Sequence, residues 1–220
     1  LKGYFVTFEG IEGSGKTTQM ERVSEELTAR GIRHITTREP GGTPIGEAVR
    51  KILLDTANSN MDPRTELLLY GAARVQHVAQ VIRPALEAGI HVLCDRFSDA
   101  TEAYQGGGRG IDAPLIRSLN ITDLIPDRTI LLDMEPGEAL ARAVRRNQLA
   151  NKSGPEGRFE SEALEFHTRV RDRYLRLAAD NPDRIVRIDA SAPVEEVENR
   201  VREALQDLFP PKISPKSETP

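Results

Sequence analysis

Residues Gly10-Ile11-Glu12-Gly13-Ser14-Gly15-Lys16-Thr17 complete a G-x-x-x-x-G-K-[ST] phosphate loop, placed directly after the apolar run Tyr4 to Phe8. Such a loop needs a strand before it and a helix after it. Its glycines let the backbone curl so that several N–H groups point inward. Those donors, with the positive end of the following helix, cradle phosphates. Lys16 can reach the β- and γ-phosphates, and Thr17 offers a hydroxyl to Mg²⁺. The stretch Thr18 to Arg30 is rich in helix formers, with Met20, Val23 and Leu27 at helical spacing, and supplies the helix. Gly10 to Thr18 therefore read as a nucleoside triphosphate site. The loop alone leaves open whether the γ-phosphoryl group passes to water or to a second substrate.

Short apolar runs recur at Tyr4 to Phe8, Ile32 to Thr36, Ile90 to Cys94, Thr129 to Leu132 and Ile185 to Ile188, each separated from the next by a helix-like segment. This alternation predicts an α/β fold of the phosphate-loop NTPase type: three α/β/α layers around a five-stranded parallel sheet. Helices are expected over Gly46 to Leu54, Thr65 to Ala88 (ended by Gly89), Pro136 to Arg146 and Glu160 to Ala179. The helical pattern lapses over Asn147 to Gly157, where Asn151 to Gly157 can pack little apolar surface while Arg142, Arg145, Arg146 and Arg158 flank it. That segment, about 142–158, is a candidate short lid; an ordinary solvated loop is the alternative. One domain over 1–209 is expected, with a proline-rich, polar and disordered tail over 210–220.

The 30 Lys and Arg against 34 Asp and Glu give a net charge of −4, which offers no global basic field for nucleic acid or an anionic membrane. Cys94, the single cysteine, lies in an apolar run; a buried structural thiol in a reducing cytoplasm is expected. No apolar run is long enough to cross a bilayer, and with a strand expected from Tyr4 no signal peptide is expected.

Ligands of open parallel sheets bind at the carboxyl ends of the strands, so the residues after each run are the candidates for chemistry. These are Glu9 with the phosphate loop, Arg38-Glu39-Pro40-Gly41-Gly42, Asp95-Arg96-Phe97 and Asp133. Asp95 is placed to hold Mg²⁺ or its water, and Arg96 to clamp a phosphate bidentately. Arg38, Arg50 and Arg74 complete a pool of arginines that suits a second anionic substrate. The aromatic face of Tyr104 and the amide of Gln105 can stack on and hydrogen-bond a nucleobase. Gly106 to Gly110, with Arg109 inside it, reads either as a second anion site or as a plain flexible turn.

Glu9 to Thr18, Arg38 to Gly42, Asp95 to Phe97 and Ala103-Tyr104-Gln105-Gly106-Gly107-Gly108-Arg109-Gly110, in this order and at these separations, resemble the bacterial thymidylate kinases. The resemblance spans nearly the whole chain. It implies transfer of the γ-phosphoryl of ATP to thymidine monophosphate (dTMP) with Mg²⁺, usually by a cytoplasmic homodimer. Carried over by position, it implies that Lys16 and Thr17 serve ATP and Mg²⁺, Asp95 supports the metal, and Arg96 grips the acceptor phosphate. Glu12 falls near the acceptor sugar, Pro40 and Arg50 fall on the pocket wall and phosphate side, and Glu39 falls among the substrate-binding positions. Arg74 and Thr101 match positions that hydrogen-bond thymine, Gln105 one that lines the site, and Tyr104 one that crowds the sugar C2′. Tyr70 stands where a phenylalanine often stacks on the base. Gly13 replaces the phosphate-loop arginine of the eukaryotic type, so the resemblance implies that a lid arginine acts instead, Arg145, Arg146 or Arg158, with Arg146 and Arg158 favoured slightly. Three rivals stay in view: a kinase for another nucleoside monophosphate, a nucleotide-dependent switch, and a nucleic-acid-processing ATPase. Arg74 with Tyr104-Gln105 weighs against the first, the arginine pool against the second, and the absence of a basic stripe against the third.

Overall fold

The computed structural model describes residues 2–119, 122–149 and 157–210. Five strands, β1 (Phe5–Glu9), β2 (His34–Arg38), β3 (His91–Asp95), β4 (Arg128–Asp133) and β5 (Ile185–Asp189), form one parallel sheet in the order β2-β3-β1-β4-β5. β1 sits at the centre and is buried along its whole length, as a strand covered on both faces must be. Its side chains alternate between the faces. Val6 and Phe8 pack with Met20, Val23 and Leu27 of α1 (Lys16–Ala29) and with Val197, Val201 and Leu205 of α9 (Val194–Leu205). Phe5 turns the other way, to Val78, Ile82 and Leu86. The expected three-layer α/β/α architecture is the one observed.

The expected long helix is present, but it changes pitch. α3 (Pro63–His77) passes into a π-helical stretch over Val78–Ile82 and then into α4 (Arg83–Glu87). Proline at the first position and Asp62 accepting from Arg64 N set its start, and Gly89 follows its end. Ahead of it, α2 (Pro44–Leu54) is capped by Thr43, whose hydroxyl accepts from Gly46 N at 3.0 Å.

Beyond β3 lie α5 (Ser98–Thr101), a second π-helical stretch over Glu102–Gly108 and α6 (Ala113–Leu119). The glycines here are not a loose turn. A Cβ on Gly107 would lie 2.8 Å from Arg169 O, and one on Gly108 2.4 Å from the Phe166 ring. They let this stretch lie directly against α8 (Leu164–Asp180), which carries Phe166 and Arg169. α7 (Pro136–Leu149) runs past the expected Arg146, so only residues 150–156 of the candidate lid lie outside the described residues. The tail from residue 211 onward also lies outside them. Among the described residues no helix is long and apolar enough to cross a membrane.

Candidate active site

The carboxyl ends of β1, β2 and β3 open onto a cleft of about 410 Å³. Its lining includes Glu12, Gly13, Lys16 and Thr17 from the phosphate loop and Asp95 and Arg96 after β3. Glu39, Pro40, Arg50, Tyr70, Arg74, Thr101, Tyr104, Gln105, Arg146 and Arg158 line it as well. Every residue read from the sequence as touching the acceptor therefore borders one cavity. Gly10, Ile11, Ser14 and Gly15 complete the loop behind it, and Thr18 is exposed on the first turn of α1 outside the lining.

The loop takes positive φ at Gly10, Gly13 and Gly15, a backbone that glycine adopts without strain. Gly13 sits at φ 80°, and a Cβ there would come within 1.9 Å of Ala139 O on α7. No side chain fits at this position, so the arginine of the eukaryotic type has no room. The Ser14 hydroxyl is buried without a partner among the described residues. Lys16 donates from Nζ to Ile11 O at 2.9 Å. Burial, then the positive charge of Arg96, pushes its ammonium down to about 8. Thr17 donates to Asp95 Oδ2 at 3.0 Å. This pair of hard oxygen donors suits Mg²⁺ already carried on phosphates and water. No cluster of three or more Asp, Glu, His or Cys that could hold a metal by itself occurs among the described residues.

Arg96 is the only non-glycine residue with positive φ, 69°, among the described residues. The backbone turn aims its guanidinium back over the loop, where it donates to Gly10 O (2.9 Å), Glu12 Oε1 (2.8 Å), and the Tyr104 and Tyr174 hydroxyls (3.0 and 3.3 Å). It also stands 4.8 Å from the centre of the Tyr104 ring. Tyr104 donates its phenolic O–H to Glu12 at 2.7 to 2.8 Å. Burial works to raise Glu12, but Arg96 and Lys16 outweigh it and hold the carboxyl below its usual range. Glu9 behaves in the opposite way. Burial and the nearby Asp99 push it up to about 8, although it accepts from Phe97 N and the Tyr174 hydroxyl, each at 2.7 Å.

At the far end of the cleft Arg74 is held in a fixed pose. Its Nε donates to Glu39 at 2.7 Å, and one terminal nitrogen donates to Phe97 O (3.0 Å) and Thr101 Oγ1 (2.9 Å). The other terminal nitrogen has no partner among the described residues. His77, fully buried, joins Glu39 (3.1 Å) to Thr37 (2.7 Å) behind it. Tyr70 lies beside Phe159, ring centres 6.4 Å apart, and burial followed by the charge of Glu66 raises its phenol above the ordinary value. Arg50 donates to Pro40 O at 3.1 Å.

The expected lid arginines separate. Arg146 is exposed at the cleft edge, with Glu160 at 3.2 Å. Arg158 is only 3% exposed and is fixed in the pocket wall, donating to Leu53 O at 2.7 Å and to Glu66. Arg142 is tied to Glu138 and Ala190 O on the surface. Asp133 is bound by Arg171 and Arg187 away from the cleft, and Arg109 pairs with Glu66 and Glu162, which removes both the fourth strand-end candidate and the second anion site. Sequence reasoning missed Glu66 and Phe159. The only signal for Glu66 was a carboxylate on the apolar face of a helix, just before Leu67.

The thymidylate kinase family model matches residues 8–201. A thymidylate kinase of Pelobacter propionicus is 54% identical over 203 residues, 90% of this chain and 92% of that one. One of Geobacter sulfurreducens is 51% identical, covering 94% and 99% of the two chains. The crystal structure of thymidylate kinase from Ehrlichia chaffeensis superposes with a TM-score of 0.73 at 35% identity, over 94% of this chain and 99% of that one. With the phosphate loop, the strand-end arginines and the buried Arg74 gathered in one cleft, these matches place the chain in the thymidylate kinase family.

Proposed function

We propose that the protein transfers the γ-phosphoryl group of ATP to dTMP, giving ADP and thymidine diphosphate. The observation that carries this reading is the continuity of the cleft, which joins Lys16, Thr17 and Arg96 at one end to Arg74, Thr101 and Gln105 at the other. ATP phosphates lie on the loop N–H groups with Lys16 against the transferring group, and Arg96 clamps the acceptor phosphate. Thr17 and Asp95 would hold Mg²⁺ carried in with the nucleotide, and the ion would supply charge neutralisation at the phosphates. Glu12, held ionised, accepts from the acceptor sugar, and Tyr104, fixed by Glu12, crowds C2′. Glu39 and Pro40 form the wall, Arg50 stands on the phosphate side, and the free N–H groups of Arg74 meet a ring carbonyl. Tyr70 stacks on the base. Arg146 is the lid arginine that meets the transferring charge, because Arg158 is fixed in the wall.

ADP release measured with each nucleoside monophosphate tests the reading. Turnover with dTMP far above the uridine, cytidine and guanosine monophosphates is expected; equal turnover with a ribonucleotide, or none with dTMP, overturns it.

A homodimer is part of the same proposal. Ile45 and Ile52 of α2 and Leu68 and Val75 of α3 are exposed on two helices that pack together, and they supply an apolar face for a second copy. Light scattering should give twice the chain mass. The buried Cys94, whose thiol burial raises well above its ordinary value, suits the cytoplasm, which cell fractionation checks.

A further inference from the structure

Glu66 of α3 is fully buried, and its carboxylate collects four N–H donors. Oε1 accepts from Gln105 Nε2 at 2.8 Å and from Arg109 Nε at 3.2 Å, while Oε2 accepts from Arg109 NH2 at 3.2 Å and from Arg158 NH2. A carboxylate flanked by two guanidinium groups offers lone pairs and no proton, so only the nitrogen end of a neighbouring amide can face it. The Gln105 side chain, 1% exposed, is thereby turned with its oxygen the other way. That oxygen has no partner among the described residues, and Gln105 lines the cleft.

We infer that Glu66 is a positioning residue for base selection: it fixes Gln105 as a hydrogen-bond acceptor toward the cleft. The inference rests on the reading of the cleft as a dTMP site. An acceptor there pairs with the ring N–H of thymine or uracil and opposes the lone pair that cytosine carries at the same ring position. The free donor of Arg74 matches the neighbouring ring oxygen and opposes the amino group of cytosine. A buried donor and acceptor of fixed polarity discriminate strongly, because the wrong base leaves both unpaired. Without the carboxylate, the Gln105 amide can rotate and present either end.

The test is steady-state ADP release by the full chain with dTMP, deoxyuridine monophosphate (dUMP) and deoxycytidine monophosphate (dCMP). The proteins compared are the wild type, Glu66→Gln, Gln105→Met, their double variant and Arg109→Met. In Glu66→Gln the KM for dTMP should rise about tenfold, with kcat moving less than about threefold. Its kcat/KM preference for dTMP over dCMP should fall at least about tenfold, while the ratio of dTMP to dUMP stays put. Gln105→Met should lose the same preference, and the double variant should lose no more than the larger single loss, since orientation is immaterial once the acceptor is gone. Arg109→Met, which removes a different partner of Glu66, should keep the preference within about twofold. An unchanged preference in Gln105→Met overturns the inference even if Glu66→Gln does not fold, and so do additive losses in the double variant. A wild type that does not turn over dTMP overturns the proposed function instead.

Discussion

Arg96 donates to Glu12 across 2.8 Å from a backbone at φ 69°, so the cation proposed to grip the acceptor and the carboxylate proposed to meet its sugar are one ion pair. The pair is mostly buried, each side chain 16% exposed, and removing one partner leaves the other charge uncompensated. The positive φ costs of order 1 kcal/mol or more in a non-glycine residue. It is the turn that brings the guanidinium back to Gly10 O.

Replacing Arg96 should therefore impair both binding and chemistry. Arg96→Ala is expected to raise the KM for dTMP and lower kcat, with kcat/KM reduced by about 10³-fold or more. Arg96→Gly should be equally inactive but should melt no lower than the alanine variant, since glycine takes the left-handed conformation without strain. Wild-type kinetics in either variant would remove Arg96 from the clamp.

Lys16→Ala should reduce kcat by about 10³-fold with the circular dichroism spectrum unchanged, if the side chain has its proposed place against the charge that develops on the transferring group. Its ammonium, pushed down to about 8 by burial and Arg96, makes ATP binding pH-dependent. Below pH 8 the group is charged and ready. As pH rises through 8 it loses its proton, so the ATP dissociation constant should climb between pH 7.5 and 9, as titration calorimetry can follow. A flat profile would separate Lys16 from the phosphates.

Glu9 links stability to pH in the acid-to-neutral range. Its carboxyl is raised to about 8 in the fold and stands at 4.5 as its reference, so between these values the folded chain holds a proton that the unfolded chain has released. Stability from this group is fully present below pH 4.5 and is lost as pH rises toward 8. The slope is at most about 1.4 kcal/mol per pH unit. Glu9→Gln keeps the acceptor for Phe97 N and should flatten that part of the stability profile in urea unfolding at several pH values. An unaltered slope would show that Glu9 is ionised in the fold.

Arg146 and Arg158 should fail in different ways. Arg146→Ala, at an exposed position, is expected to lower kcat by about 10²-fold with little change in melting temperature. Arg158→Ala removes one of the two cations beside the buried Glu66 and should destabilise the protein by roughly 3 kcal/mol, lowering the melting temperature by about 6 to 12 °C. Thermal melts beside kcat measurements settle the division of roles, and a stable Arg158→Ala protein with lost kcat would reverse it.

The five strands were all legible as apolar runs, yet each observed strand carries on to a charged residue: Glu9, Arg38, Asp95, Asp133 and Asp189. Hydrophobicity marks the part of a strand buried between layers, whereas the backbone ladder continues to where the strand meets the cleft or solvent. The helix α9 went unmarked, and the Gly106 to Gly108 segment was misread as a turn, because glycine's permissiveness is visible in sequence while the helix that needs its missing side chain is not.

By itself the sequence determined the phosphate loop and the parallel α/β order, which follow from local spacing, and the cleft residues at the strand ends, which follow from the rule that strand ends face the ligand; Tyr70 and Thr101 were reached only through the family resemblance, and Phe159 was not reached. Tertiary structure alone decided which charges are committed. Arg158 and Glu66 lie 92 residues apart, and Arg96 and Glu12 lie 84 apart. No local period encodes such pairs. They arise when the sheet order sets β3 beside β1 and the fold packs α3 close to Arg158, where buried ions must find partners or remain unsolvated.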